Sequence, residues 1–248
     1  LRYFLDIAYK GTHYHGWQLQ TNAHTVQAEL ESALQKIFRT KIETLACGRT
    51  DTGVHARQQM VHIDVPAAIT PDQVYRLNRV LPFDISVNDF FPVVDTAHAR
   101  FDALSRAYEY RITRKKDPFA KEQSWWLDRP LEVALMNEAA QILLKHHNFE
   151  SFSKVHTDVK NFLCTIHKAE WRLENNLLLF DIEANRFLRG MVRAIVGTLV
   201  LVGLQKITVQ DFEAVILASD RGKAGAAAPP EGLFLTGVKY PDDIFIAS

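Results

Sequence analysis

Asp51 stands in the segment Gly48-Arg49-Thr50-Asp51-Thr52-Gly53-Val54-His55-Ala56, in which two glycines bracket a guanidinium and a carboxylate. Glycine opens backbone conformations closed to other residues, so the segment is free to take a tight, irregular path. Arg49 and Asp51 do not fill a core unless their charges are compensated. Three uses are open to the carboxylate: attack on an electrophilic carbon, proton abstraction, or an Asx-type hydrogen bond that merely holds the turn. Arg49, Arg189 and Arg193 shift the balance towards chemistry, because guanidinium partners keep a carboxylate ionised and fit to act as nucleophile or electrostatic anchor.

Other groups are weaker candidates. His13 and His15 have H-x-H spacing but no identifiable third ligand, so a role in a loop fits them better than a metal site. Tyr108 and Tyr110 alternate as residues on one face of a strand do, and by themselves read as sheet packing. Trp125, Trp126 and Phe152 read as core or interface aromatics, and His146-His147 as a helix end. Two basic groups stand out. One holds Arg100, Arg106, Arg111, Arg114, Lys115, Lys116 and Lys121, against Asp102, Glu109 and Asp117 in the same stretch; the other is Arg186, Arg189 and Arg193.

The Asp51 loop needs rigid elements around it, and the flanking patterns supply them. Tyr3, Leu5, Ile7 and Tyr9 predict a strand with one face on a core, ended by Lys10-Gly11-Thr12. Thr25 caps a helix whose buried face is Val26, Leu30, Leu34 and Ile37. A short strand over 42–46 leads into the loop, and Val61, Ile63 and Val65 mark the strand after it. Thr70-Pro71-Asp72-Gln73 is a capping box opening a helix that ends before Pro82, and 85–91 reads as a strand.

The second half starts again in the same style. A strand over 106–113 carries Tyr108, Tyr110 and Ile112 on one face, and Val133, Met136, Ala140 and Leu143 mark a helix. Strands follow over 165–172 and 177–184. Between Asn185 and Gly203 the pattern predicts an apolar helix, largely buried, with Arg186, Arg189 and Arg193 as a basic stripe facing a polar site. Thr208-Val209-Gln210-Asp211 opens another helix, 226–230 is a loop, and 233–240 is a late strand. The halves share a layout without a sequence repeat, which sets a domain boundary near residue 104 and gives domains 1–104 and 105–248. The element order is not a regular βαβ series, so the expected class is α+β with a largely antiparallel sheet.

Composition bounds the reading. With 248 residues, 47% of them hydrophobic and 23% charged, the chain builds a substantial core and is neither disordered nor fibrous. No apolar run of about 18 residues is present to cross a bilayer, and Leu1 to Asp6 becomes strand-like too soon for a secretory leader. Cys47 and Cys164 are too few for a disulfide framework, so a reducing cytosol is expected. The 29 basic residues balance 29 acidic ones, so any phosphate-binding surface must be local.

Several ordered motifs narrow the reading further. The loop Gly48 to Ala56 resembles the signature loop of the tRNA pseudouridine synthase A family, and the resemblance extends over nearly the whole chain. It includes Tyr9-Lys10-Gly11 and Tyr14-His15-Gly16-Trp17-Gln18, then His98-Ala99-Arg100-Phe101 and Arg106-Ala107-Tyr108-Glu109-Tyr110. Asn185-Arg186-Phe187-Leu188-Arg189-Gly190-Met191-Val192-Arg193 and Glu231-Gly232-Leu233 complete it. Lys10 departs from the pattern, since the family often has an acidic residue there; a local RNA contact or strand-end pairing is what that change touches.

The resemblance implies isomerisation of uridine to pseudouridine at positions 38, 39 and 40 of the transfer RNA anticodon stem-loop. It implies a pseudouridine synthase-like fold, two α/β domains whose antiparallel sheets join across a central catalytic cleft, working as a cytoplasmic homodimer. It places the catalytic aspartate at Asp51, the tyrosine that stacks on the target base and assists proton removal at Tyr108, and the arginine paired with the aspartate at Arg193. Arg49, Arg106 and Arg189 are the expected RNA-binding residues. No metal or organic cofactor is expected, and neither a membrane nor DNA is an expected partner. Attack by Asp51 falls on C1′ with loss of uracil, or on C6 of the base. A non-catalytic binder of structured RNA would explain the basic runs but not the joint matches at Asp51, Tyr108 and Arg193. A nucleoside hydrolase would need a second acid/base carboxylate across the substrate.

Overall fold

The first strand follows its alternating pattern except at Phe4, which is buried as well. In β1 (Arg2–Tyr9) the side chains of Tyr3, Leu5, Ile7 and Tyr9 are buried, while Arg2, Asp6 and Ala8 are only partly so. The structure, a computed structural model, describes residues 1–155 and 161–246. These fall into two compact units, Leu1–Leu104 with Phe234–Ser248 and Ser105–Leu233. The chain thus leaves the first unit at Leu104 and re-enters it at Phe234.

In the first unit, α1 (Val26–Phe38) begins where Thr25 accepts a hydrogen bond from Ala28 N–H, and buries Val26, Leu30 and Leu34. Next come β2 (Leu45–Ala46), β3 (His55–Asp64), α2 (Pro71–Val80) and β4 (Ile85–Val93). The capping box of α2 is present as the sequence predicts, with the Gln73 and Thr70 side chains each accepting from the other's backbone N–H. β1 pairs antiparallel with both β3 and β4, and β2 pairs antiparallel with β3. Both long pairings of β1 contain a register shift, and the one against β3 lies between Ile7 and Tyr9, beside the Asp51 segment.

The second unit contains β5 (Ser105–Thr113), β6 (Trp125–Trp126), α3 (Val133–Ile142), β7 (Ile166–Glu174), β8 (Leu177–Ala184), α4 (Met191–Gly203) and α5 (Val209–Leu217). β8 lies between β5 and β7, antiparallel to each, and β6 pairs in parallel with β5. Phe149, Phe152, Phe180, Ile195, Leu199 and Phe212 are wholly buried and fill this core. Trp126, by contrast, is half-exposed. The last strand, β9 (Leu233–Lys239), pairs in parallel with β3 through His55–Phe234 and Ala56–Leu235.

One expectation is corrected. The predicted helix over 185–203 is helical only from Met191, because Gly190 caps it in the left-handed region at φ 72°. Arg186 and Arg189 therefore lie in the approach to the helix, and Arg193 alone of the three is on it. Among the described residues no helix is long and apolar enough to cross a membrane.

Candidate active site

The backbone around Asp51 is held by hydrogen bonds and close packing within the first unit. Val54 N–H donates to Asp51 O at 3.1 Å, closing a four-residue turn. Gly53, third in that turn, has φ 78°, which a side chain would oppose. Gly53 N–H donates to Tyr14 O at 3.3 Å, and Trp17 N–H donates to Thr50 O at 3.2 Å. The turn is therefore tied on both sides to the segment 14–17.

Two glycines make that approach feasible. A Cβ on Gly16, whose φ is 86°, would lie 2.5 Å from Thr50 O, and one on Gly11 would lie 1.9 Å from Val54 O. Gly11 N–H donates to Nδ1 of His55 at 2.9 Å, and the His55 ring stacks on Phe234 with centroids 4.6 Å apart. Tyr14, Trp17, Thr50 and His55 are buried, Asp51 is half-buried and Arg49 is exposed. The result is a carboxylate at the edge of a rigid frame rather than on a loose loop. Gly11, Gly16 and His55 were not separate site candidates from their types; the signal available was glycine next to large aromatic residues in 9–17.

The other proposed catalytic residues lie in the second unit. Tyr108 sits in β5 opposite Ile182 of β8, half-buried, with its ring edge-on to Phe187 at a centroid distance of 5.1 Å and an interplanar angle of 88°. Tyr110, two residues on, is fully buried and donates its hydroxyl to Pro229 O at 2.8 Å. Burial raises the Tyr110 phenol far above its ordinary range, with the Glu231 carboxylate adding to the effect. The two tyrosines share one face of the strand but differ in their surroundings: Tyr110 is a packing residue with its hydroxyl tied to Pro229 O, and Tyr108 retains partial exposure.

Arg193 occupies the first turn of α4 and is the only residue of Met191 to Val200 that is not buried. Its Nε donates to Ala228 O at 2.7 Å. The segment carrying Ala228 is pressed onto the helix: a Cβ on Gly197 would meet Ala226 O at 1.8 Å, and Thr198 Oγ1 accepts from Gly225 N–H at 2.9 Å. Of the RNA-binding candidates in this unit, Arg106 donates to Asn185 O at 2.9 Å, while Arg189 is exposed in the turn before α4. Arg111 drops out of the basic cluster, because its guanidinium is paired with Glu109 at 2.7 Å and little of it is exposed. Arg114, Lys115, Lys116 and Lys121 are exposed. His13 and His15 are also exposed, and among the described residues no group of three or more His, Cys, Asp or Glu side chains is arranged to hold a metal ion.

The chain has mixed α/β content with an antiparallel-dominated sheet, and Asp51 stands on a firmly framed turn. The family profile described as tRNA pseudouridine synthase matches residues 7–102 and 139–241, which contain Asp51 and Arg193. A "tRNA pseudouridine synthase A" of Parabacteroides distasonis is 48% identical over 247 residues, covering 98% of each chain. Its namesake in Bacteroides fragilis is 48% identical over 247 residues, again with 98% of each covered. Another in Treponema denticola is 42% identical over 252 residues, covering 98% of this chain and 94% of its own. This chain belongs to the tRNA pseudouridine synthase family, isomerases that convert uridine to pseudouridine.

Proposed function

We propose that this chain isomerises uridine to pseudouridine at positions 38, 39 and 40 of the transfer RNA anticodon stem-loop, as a cytoplasmic homodimer and with Asp51 as nucleophile. The observation that carries the reading is the framed turn that holds Asp51, in a chain of this family. A nucleophile must meet its target within a few tenths of an ångström, and a turn tied to 14–17 by two backbone hydrogen bonds has the rigidity for it.

The chemistry runs as follows. The target nucleotide leaves its stack, at a cost of a few kcal/mol recovered through contacts in the site. A carboxylate oxygen of Asp51 bonds to C1′, and the C1′–N1 bond breaks with its electron pair going to uracil. The base turns without escaping, C5 bonds to C1′, and the carboxylate departs. Loss of the C5 proton, assisted by the Tyr108 hydroxyl, and protonation at N1 restore the ring. Arg193 is the arginine that orients Asp51 for attack; Arg49, Arg106 and Arg189 bind the RNA backbone, which positions the substrate without reading much sequence. The first 104 residues carry the aspartate loop, and the remainder supplies Tyr108 and Arg193.

Incubation of the purified protein with unmodified transfer RNA, followed by position-resolved detection of pseudouridine, tests this reading. Product confined to positions 38, 39 and 40 is expected. Tight binding with every uridine unchanged would mean an RNA-binding protein instead, and release of free uracil a hydrolase. Size-resolved activity tests the dimer: turnover should elute with the dimer, and a fully active monomer would contradict it.

A further inference from the structure

Behind the Asp51 turn lies a polar cluster that the reaction scheme does not use. Tyr9, Thr50 and Gln59 are all buried, with relative exposures of 4%, 7% and 0%. The Tyr9 hydroxyl lies 2.7 Å from Thr50 Oγ1 and donates at a longer 3.5 Å to Gln59 Oε1. Gln59 Nε2 in turn donates to Gly48 O at 3.1 Å. Because the Gln59 amide is oriented by Gly48, its oxygen faces Tyr9. With the Tyr9 proton directed to Gln59, the Tyr9 oxygen accepts from Thr50, so the Tyr9 hydroxyl makes both bonds and the Thr50 hydroxyl donates.

Buried polar groups of this kind are costly unless fully paired, and a hydrocarbon core would pack at least as well. What this cluster provides is placement. It joins the end of β1 and the body of β3 to the backbone at Gly48 and to the side chain of Thr50, the residue immediately before Asp51. The register shift between Ile7 and Tyr9 falls at the same point.

We propose that Tyr9, Thr50 and Gln59 form a positioning network that fixes the reach of the Asp51 carboxylate during catalysis, none of them touching the RNA. The proposal rests on the reading of Asp51 as the nucleophile. Its signature is a loss in kcat with KM preserved, shared between residues that make the same hydrogen bond.

The test measures kcat and KM on an unmodified transfer RNA transcript for Tyr9→Phe, Thr50→Val, their double variant and Thr50→Ser, together with the thermal midpoint of each. Tyr9→Phe and Thr50→Val should each lower kcat about 10- to 100-fold, the scale of a small misplacement of a reacting group, with KM within about twofold. The double variant should be no slower than the slower single one, because the Tyr9–Thr50 bond that Thr50→Val removes is already gone in Tyr9→Phe. Thr50→Ser, which keeps the hydroxyl, should restore turnover. Wild-type kcat in both single variants, multiplicative losses in the double, or a lowered thermal midpoint with unchanged kcat would overturn the network. If Thr50→Val does not fold, Tyr9→Phe decides alone, since it keeps the ring beside Trp17 and must still lose kcat at constant KM. Asp51→Asn in the same assay separates the two ideas: an active Asn variant defeats the nucleophile reading, whereas an inactive one beside fully active Tyr9→Phe defeats only the network.

Discussion

Arg193 and Ala228 hold each other twice: Arg193 Nε donates to Ala228 O at 2.7 Å, and Ala228 N–H donates to Arg193 O at 2.9 Å. The pair orients the guanidinium from a helix that is otherwise buried around it. Gly197 lets the partner segment approach, since a Cβ there would lie 1.8 Å from Ala226 O.

Lysine at this position keeps the positive charge but has neither Nε nor a planar fork, so the bond to Ala228 O is lost. Arg193→Lys should retain the fold and lower single-turnover rate at saturating transfer RNA on the order of 100-fold, with affinity changed only a few-fold. Rate and equilibrium binding measured on the same preparation check this. Equal losses in both would make Arg193 an RNA-binding residue.

Tyr108 meets Phe187 edge-on, a packing that Phe preserves and Leu does not. Tyr108→Phe should bind transfer RNA normally and show a severe defect in the chemical step, because the hydroxyl proposed to assist deprotonation at C5 is gone. If the Phe variant reacts at the wild-type rate while Tyr108→Leu fails, the residue acts through stacking alone.

Two glycines near the turn, Gly11 and Gly48, differ in what they tolerate. A Cβ on Gly11 would collide with Val54 O at 1.9 Å, whereas the Cβ position of Gly48 has no such neighbour within 4 Å. Gly11→Ala should destabilise the fold by about 2 kcal/mol or more, and Gly48→Ala should stay within about 0.5 kcal/mol of the parent. Chemical denaturation of both variants measures the contrast.

His62 supplies a pH dependence of stability. It is buried in β3, its Nδ1 accepts from Ala99 N–H at 3.0 Å, and its ring lies 4.6 Å from that of His98. Burial lowers its pKa from 6.5 to about 4, helped by the nearby His98 and Arg2 and opposed by Asp64 and Asp102. Above 6.5 the imidazole is neutral in folded and unfolded chains alike; between 6.5 and about 4 only the unfolded chain takes up the proton, so stability falls as pH falls through that window. His62→Asn, which retains an acceptor for Ala99 N–H, should flatten the slope. An unchanged slope in a pH series of thermal midpoints would remove His62 as its source.

Local rules reached the elements more readily than their partners. The caps at Thr25, Thr70 and Thr208 are present as the sequence predicts, because capping depends on residues within one turn. The strand over 233–240 was equally legible, but its parallel pairing with His55 and Ala56 was not, since nothing local encodes a partner so distant in the chain. The helix starts at Met191 rather than near Asn185 because Gly190 sets the backbone break, although apolar spacing continues through Phe187 and Leu188. At the candidate site, the charged residues and glycines of 48–53 are legible by type. Tyr9, Thr50 and Gln59 are not, because alternation in β1 and β3 marks which residues are buried and says nothing of which polar atoms meet.

The most direct measurement of the central claim is single-turnover conversion of an unmodified transfer RNA by the Asp51→Asn protein beside the parent, with binding measured in parallel. The amide keeps the size of the side chain and loses the nucleophile. The account predicts pseudouridine at positions 38, 39 and 40 with the parent, none with the variant, and comparable affinity for both. Pseudouridine formed by Asp51→Asn at near the parental rate would contradict it.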